Sequence, residues 1–322
     1  MTDSCGRTID YMRVSITDRC NLRCRYCMPE DLAFIPHEEI LRYEEIQRIC
    51  ALAAELGVST VKITGGEPLV RPGCVELIRS LKALPGIRRV TLTTNGVLLS
   101  QHLPALAELG LDGVNISLDT LDRGLYRAIT GRDELHRVLG AVFQALDAGL
   151  KVKLNCVPQQ AVGERGLLEL AALAVRHPVD VRFIEMMPIG RGRDFTPVTG
   201  GALLRMLEGA WPDLMPSIEK RGSGPARYFT SPALKGSFGI IDAVSHSFCA
   251  QCNRVRLTSE GYLKLCLCHG DGVDLRGLLR SGGTDGQLRQ AMETAILRKP
   301  RQHTFGGTTG PGELRAMSQI GG

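Results

Sequence analysis

Residues 13–27 read RVSITDRCNLRCRYC. A short β-branched run, with Val14, Ile16 and Thr17, breaks into Asp18-Arg19-Cys20, and Cys24 and Cys27 follow closely. The same order, an apolar run and then a polar loop, recurs down the chain. TVKIT (60–64) leads into GGEP, RVTLTT (89–94) into NG, and GVNISLD (113–119) into Thr120. KVKLNCV (151–157) and DVRFIE (180–185) complete the set, the last running into MMP. Between these runs lie YEEIQRICALAAEL (43–56), CVELIRSLKAL (74–84), ELHRVLGAVFQALDAG (134–149) and GLLELAALAVR (166–176). Their apolar residues recur at three- and four-residue steps, the period of a helix with one buried face. Strands alternating with helices in this way suit right-handed βαβ crossovers and a parallel sheet. The expected fold is α/β, a partial (β/α)6 barrel of the TIM type. In such folds the loops after the strands share one mouth, where active sites gather.

Past residue 190 the texture changes. GRGRDFTPVTGG and KRGSGPARYFTSP are rich in Gly and Pro and read as loops. VRLTSEGYLKLCL reads as a hairpin turning at Ser259–Gly261. The expected division is a barrel over 1–215 and a C-terminal extension over 216–322.

The composition bounds the function. Hydrophobic residues are 43% and charged residues 23% of 322, so wholesale disorder is excluded. A net charge of +5 is too mild for a duplex-DNA binder or a polybasic membrane anchor, and suits an anionic small molecule. No apolar stretch approaches the roughly 18 residues of a membrane span, and MTDSCGRTID has no hydrophobic signal region. A cytoplasmic protein without membrane partners is expected. Eleven cysteines are then the abnormal feature, because a reducing compartment does not sustain structural disulfides. Cys50 and Cys74 fall within helical patterns and read as small core residues, and Cys5 is expected in a mobile terminus.

Cys20-x3-Cys24-x2-Cys27 offers three thiolates where a structural zinc needs four ligands. A [4Fe–4S] cluster on three cysteines keeps one iron open to a small chelating molecule. This motif resembles the signature of the radical S-adenosylmethionine superfamily, CxxxCxxC after the first barrel strand. The resemblance implies that the open iron holds the amino and carboxylate groups of S-adenosylmethionine, and that reduction releases a 5′-deoxyadenosyl radical. It further implies cofactor contacts at Tyr26, at Gly66 in the Gly65-Gly66-Glu67-Pro68 loop, at Ser117 and at Met187.

The second group, Cys249-x2-Cys252-x13-Cys266 with Cys268 beyond, leaves a zinc reading open, with Cys268 or His269 as fourth ligand. Arg254 and Arg256 follow at alternate strand positions, so they share a face and offer a clamp for phosphate oxygens. The block CAQCNRVRL, with Cys266 and the closing Gly321-Gly322, resembles the GTP 3′,8-cyclase family of molybdenum cofactor biosynthesis. That resemblance runs from MRVSITDRCNLRCRYCMP to MSQIGG and implies a second [4Fe–4S] cluster on Cys249, Cys252 and Cys266. It implies a Gly-Gly tail reaching toward the active site, and GTP contacts at Arg13, Lys62, Thr93, Lys153, Arg254 and Arg256. Arg182 is a weaker candidate. Lys62 stands where relatives often carry arginine, and Cys268 where they often carry an aromatic residue, so which cysteine ligates stays open.

The reaction implied is a radical cyclisation of GTP to 3′,8-cyclo-7,8-dihydroguanosine triphosphate, the first step toward molybdopterin. It would need an external electron donor and hand its product to cyclic pyranopterin monophosphate synthase; a homodimer is a family-level expectation. The alternatives are a radical enzyme acting on a peptide or RNA, and a zinc-containing nucleic-acid binding protein.

Overall fold

The computed structural model describes residues 1–28, 32–219, 221–305, 313 and 315–321. The alternation read from the sequence is present. It runs β1 (Tyr11–Ser15), α1 (Tyr43–Glu55), β2 (Thr60–Thr64), α2 (Cys74–Lys82), β3 (Arg89–Thr94), α3 (Leu99–Glu108) and β4 (Val114–Ser117). It continues with α4 (Arg123–Thr130), α5 (Leu135–Asp147), β5 (Val152–Cys156), α6 (Gly163–Ala171), α7 (Leu173–Arg176) and β6 (Asp180–Ile184). After these come α8 (Gly200–Ala210), β7 (Met215–Pro216), β8 (Arg227–Thr230), β9 (Ser237–Ile241) and β10 (Arg254–Leu257). The chain closes with β11 (Tyr262–Lys264), β12 (Gly272–Asp274), α9 (Leu275–Arg280), α10 (Asp285–Leu297) and α11 (Met317–Ile320). No described helix is long and apolar enough to cross a membrane.

The chain divides into two compact units that are not consecutive in sequence, and neither ends at residue 215. The first holds Met1–Asn21, Cys27–Thr93 and Cys249–Gly322. Its strands lie in the order β12-β11-β10-β1-β2-β3. β10, β1, β2 and β3 are parallel, and β11 and β12 turn back antiparallel. The second unit holds Leu22–Tyr26 and Thr94–Phe248, with strands β4-β5-β6-β9-β8-β7. There β4, β5, β6 and β9 are parallel, and β8 and β7 reverse. Late strands thus join both units, since β9 pairs with β6 and β10 with β1. The sequence pattern places the β10–β11 hairpin correctly, yet it cannot say which earlier strand β10 joins.

Within each unit the strands have one apolar and one polar face, as their alternation dictates. Val61 and Ile63 of β2 are fully buried on one side, while Thr60, Lys62 and Thr64 lie on the other. The helices cover the apolar side. In α1, Ile46, Ile49, Cys50 and Ala53 form the buried stripe, and Glu45 accepts the Arg42 N–H at 2.7 Å to cap the first turn. Burial pushes the Cys50 and Cys74 thiols up to about 12, so both are inert core residues. The single helix expected over 166–176 is broken at Ala172 into α6 and α7. β1 starts at Tyr11 rather than Arg13, because Tyr11 already pairs with Arg254 and Thr60. The N-terminus is tied down: Thr2 bridges to Thr8, and the exposed Cys5 donates its backbone N–H to Asp3 Oδ1 at 2.9 Å.

Candidate functional site

The first cysteine segment is positioned by the loops around it. Gly66 donates its N–H to the Thr17 carbonyl at 2.7 Å, and Glu67 to the Arg19 carbonyl at 2.8 Å. A Cβ on Gly65 would sit 2.7 Å from the Thr17 carbonyl oxygen, and one on Gly66 2.7 Å from that of Asp18 and nearer still to that of Arg19. The two glycines are therefore required by the backbone that leads into Cys20, because any side chain would push this segment away. Asp18 is fully buried and accepts the Ile35 N–H at 2.7 Å, while Arg71 donates to the Ile16 and Leu41 carbonyls at 2.6 and 2.8 Å. Glu67, also fully buried, accepts the Leu69 N–H at 3.0 Å.

In the second unit, Arg23 and Arg25 donate their backbone N–H groups to the Thr130 and Ile129 carbonyls at 2.8 and 3.0 Å, which holds Cys24 between two anchored neighbours. The Tyr26 hydroxyl donates to Asp119 Oδ2 at 2.8 Å, and the Tyr26 ring meets Phe195 edge-on at 6.5 Å. Burial pushes the Asp119 carboxyl up to about 6, although the Val157 N–H and the Tyr26 hydroxyl both oppose it. Ser117 ends β4, and Met187 follows β6 in a loop closed by an Ile189 N–H donated to the Met187 carbonyl at 2.8 Å. Cys20, Cys24 and Cys27 are half-buried thiols outside any disulfide. Three soft donors with no side-chain fourth among the described residues suit an iron–sulfur cluster with an open iron better than a closed zinc site.

The polar faces carry two rows of charge. In the first unit, register aligns Arg256, Arg13, Lys62 and Thr91 across β10, β1, β2 and β3. Arg254 and Thr93 stand two residues from that row on the same face. The Thr91 and Thr93 hydroxyls are buried without a hydrogen-bond partner among the described residues. Arg256 is 9% exposed, and burial, with Arg13 and Arg254 beside it, holds its pKa well below the usual range. Lys62 and Arg256 are buried and Arg13 is half-buried, so the row gathers like charge largely out of water.

In the second unit, Asn115, Lys153, Asp180 and Ser237 form one row, and Ser117, Asn155, Arg182 and Gly239 the next. Lys153 is not a lone cation. Its ammonium pairs with Asp180 at 3.0 Å and donates to the Tyr228 hydroxyl at 2.8 Å and to the Arg221 carbonyl. Arg221 pairs with the same aspartate at 2.8 Å, and Ser237 donates to it at 2.7 Å. Burial would raise the Asp180 carboxyl, but Lys153, Ser237 and Arg221 together hold it below the usual range.

The second triad lies within the first unit. Cys249, Cys252 and Cys266 are half-buried free thiols, whereas Cys268 is 3% exposed, with its sulfur 3.6 Å from the Thr304 hydroxyl. The His303 N–H points at the Cys249 sulfur at 3.4 Å. Burial raises the Cys252 thiol, but Lys299 first and then Arg254 outweigh it, so its pKa falls below the ordinary value. The donor set fits a second cluster. Among the described residues no group of three or more His, Cys, Asp or Glu converges as a preformed cage.

The tail packs onto the same polar face. The Arg256 guanidinium donates to the Gly321 carbonyl at 2.5 Å, and a Cβ on Gly321 would stand 3.1 Å from Ser15 Cβ. Gly321 also has φ of 76°, so two independent constraints require glycine there. Gly322 lies outside the described residues. Before it, Glu313 pairs with the fully buried Lys264 and with Arg315 at 3.0 Å. Sequence reasoning missed Arg7, Lys299, Lys264 and Glu313, since lone charges outside motifs have no local signal. It included Asp119 in the GVNISLD run but gave it no role.

Comparison with known proteins follows these lines. Residues 14–174 match the Radical SAM superfamily, and 179–305 match Molybdenum Cofactor Synthesis C. Proteins named GTP 3′,8-cyclase are 41% identical in Clostridium perfringens strain SM101 over 323 residues and 44% in Heliobacterium modesticaldum over 329, covering all of both chains in each case. The GTP 3′,8-cyclase 1 of Pseudomonas aeruginosa is 43% identical, covering 99% of this chain and 98% of its own. This chain belongs to the GTP 3′,8-cyclase family. Within that family member, the Radical SAM match contains the first triad and Gly66, and the second match contains Cys249 and Cys252. Solved structures share its radical SAM partial-barrel fold. Streptococcus suis SuiB bound to S-adenosylmethionine aligns with a TM-score of 0.59, and SuiB bound to its precursor peptide SuiA with 0.62. Both are 18% identical and cover 91% of this chain, which spans 66% and 65% of theirs.

Proposed function

We propose that this family member is a lyase that converts GTP to (8S)-3′,8-cyclo-7,8-dihydroguanosine 5′-triphosphate, the first step of molybdenum cofactor biosynthesis. The observation that carries the reading is the Arg256–Arg13–Lys62 row, buried at both ends and half-buried at Arg13, with Arg254 beside it, on the polar face that also meets the tail. Roughly four negative charges on a triphosphate would relieve the mutual repulsion of those cations. The planar guanidinium forks of Arg13, Arg254 and Arg256 suit paired phosphate oxygens, and Lys62 adds a point charge. The Thr93 hydroxyl has a free donor to offer the nucleotide. Lys153 is held by Asp180, Tyr228 and the Arg221 carbonyl, so its ammonium would have to exchange one of these partners for the nucleotide.

Cys20, Cys24 and Cys27 would hold one [4Fe–4S] cluster, and Cys249, Cys252 and Cys266 the other, with residues 216–322 supplying the second cluster and most of the arginine contacts. Tyr26, Gly66, Ser117 and Met187 would line the S-adenosylmethionine site. When bound and reduced, this cofactor pair supplies a 5′-deoxyadenosyl radical competent to take hydrogen from the ribose C3′. The chain's own part is to hold the triphosphate, fix the base and exclude water. Two full clusters, an external electron donor, a homodimer, a cytoplasmic setting and product uptake by cyclic pyranopterin monophosphate synthase belong to the same proposal.

Deuterium placed at C3′ of GTP should appear in 5′-deoxyadenosine from anaerobically reconstituted protein. Cys249→Ser should still cleave S-adenosylmethionine but form no cyclised product. Full cyclisation by that variant, or no label transfer in the parent, would overturn the reading.

A further inference from the structure

The side chains behind the second triad are two buried cations, Arg7 and Lys299, at 6% and 3% exposure. Arg7 uses all five of its N–H donors. Its Nε pairs with Asp3 Oδ2 at 2.6 Å inside a turn that Asp3 also closes through the Arg7 N–H at 2.9 Å. One terminal nitrogen donates to the Cys249 carbonyl at 2.9 Å and to that of Arg301 at 3.0 Å. The other donates to the Pro300 carbonyl at 2.8 Å and to that of Lys299 at 3.3 Å. The guanidinium therefore clamps one cysteine of the triad to segment 299–301. The same segment continues to His303, whose N–H meets the Cys249 sulfur at 3.4 Å. At its other end, the Lys299 ammonium donates to the carbonyl of Leu265, the residue before Cys266.

Solvation does not explain the pair, because both charges are out of water and Lys299 forms no ion pair with a carboxylate among the described residues. Three thiolates on a [4Fe–4S] core carry net negative charge in both oxidation states, and buried cations behind them reduce the cost of gathering it. We infer that Arg7 and Lys299 are positioning residues of the second triad: Arg7 fixes the Cys249 backbone, and Lys299 fixes Cys266 and supplies charge that raises the cluster's potential. The inference rests on the reading that Cys249, Cys252 and Cys266 hold a cluster.

The test compares the anaerobically reconstituted full chain with its Arg7→Lys, Lys299→Met and Cys249→Ser variants. Iron content, the two electron paramagnetic resonance signals, their midpoint potentials and reductive cleavage of S-adenosylmethionine are measured for each. Arg7→Lys keeps the charge but loses the fork. Its iron should fall from about eight toward about four per chain, with the first signal and cofactor cleavage intact. Lys299→Met should retain more iron but shift the second signal to a more negative midpoint. If both variants keep wild-type iron and potentials while Cys249→Ser loses half its iron, the inference fails alone. Joint loss of both signals in both variants also overturns it, since the residues would then serve the fold at large. About four irons in the parent, unchanged by Cys249→Ser, would instead sink the second-cluster reading beneath it.

Discussion

Glu313→Gln tests how the tail is held. The Glu313 carboxylate accepts hydrogen bonds from Lys264, from Arg315 Nε at 3.0 Å and from the Arg315 backbone N–H at 3.0 Å. Burial alone would raise its pKa, yet Arg315 and Lys264 hold it at about 2, below an ordinary 4.5. At about 1.4 kcal/mol per tenfold change in acidity, that difference corresponds to at most about 3 kcal/mol of stabilisation. Desolvating Lys264, whose own pKa burial drives down, offsets part of it. The pull is local, because α11 is a short helix whose far end is held by the Arg256 bond to Gly321. Replacing the carboxylate should therefore raise hydrogen exchange at the Ser318–Gly321 amides by up to on the order of 100-fold, while the barrel helices keep their protection. The sign with pH follows from a depressed carboxyl. Its contribution is whole above about 4.5 and is lost as pH falls toward about 2, so the parent's tail should loosen over that window and the variant's should not. Exchange within twofold of the parent at pH 7, or a tail indifferent to acid, would refute this account of the latch.

Two further outcomes are expected. Gly66→Ala forces a methyl group against the Asp18 and Arg19 carbonyls, and should cost at least about 1–3 kcal/mol in thermal unfolding, with iron lost from the first site; a parent-like melting point and iron content would contradict the loop packing. Asp119 has the opposite sign to Glu313: its carboxyl is raised to about 6 from 3.8, so the stability linked to it is present below about pH 4 and lost as pH rises through about 6. Calorimetry of metal-free protein from pH 4 to 7 should show a loss of about 3 kcal/mol that Asp119→Asn removes.

Local chemistry was legible in the sequence. The alternation of apolar runs and helical stripes placed β2 over 60–64 and the first helix over 43–56, one residue beyond the end of α1, because period and burial are set by neighbouring residues. The two cysteine spacings and the shared face of Arg254 and Arg256 were equally direct, since alternate strand residues must point the same way. The Lys153–Asp180 pair was hidden for lack of any local signal: nothing near Lys153 announces a carboxylate on the adjacent strand.

What the chain determines by itself is therefore its alternating strands and helices, their faces and the spacing of its two cysteine groups. Tertiary structure alone decided that β9 pairs beside β6 and β10 beside β1, the second of which brings Arg256 into one row with Arg13 and Lys62. It also decided that Arg7 reaches Cys249 across almost the whole length of the chain, and that Gly321 ends against Arg256. These contacts join residues far apart in sequence, and such pairs form only once loop closure and burial have brought their elements together.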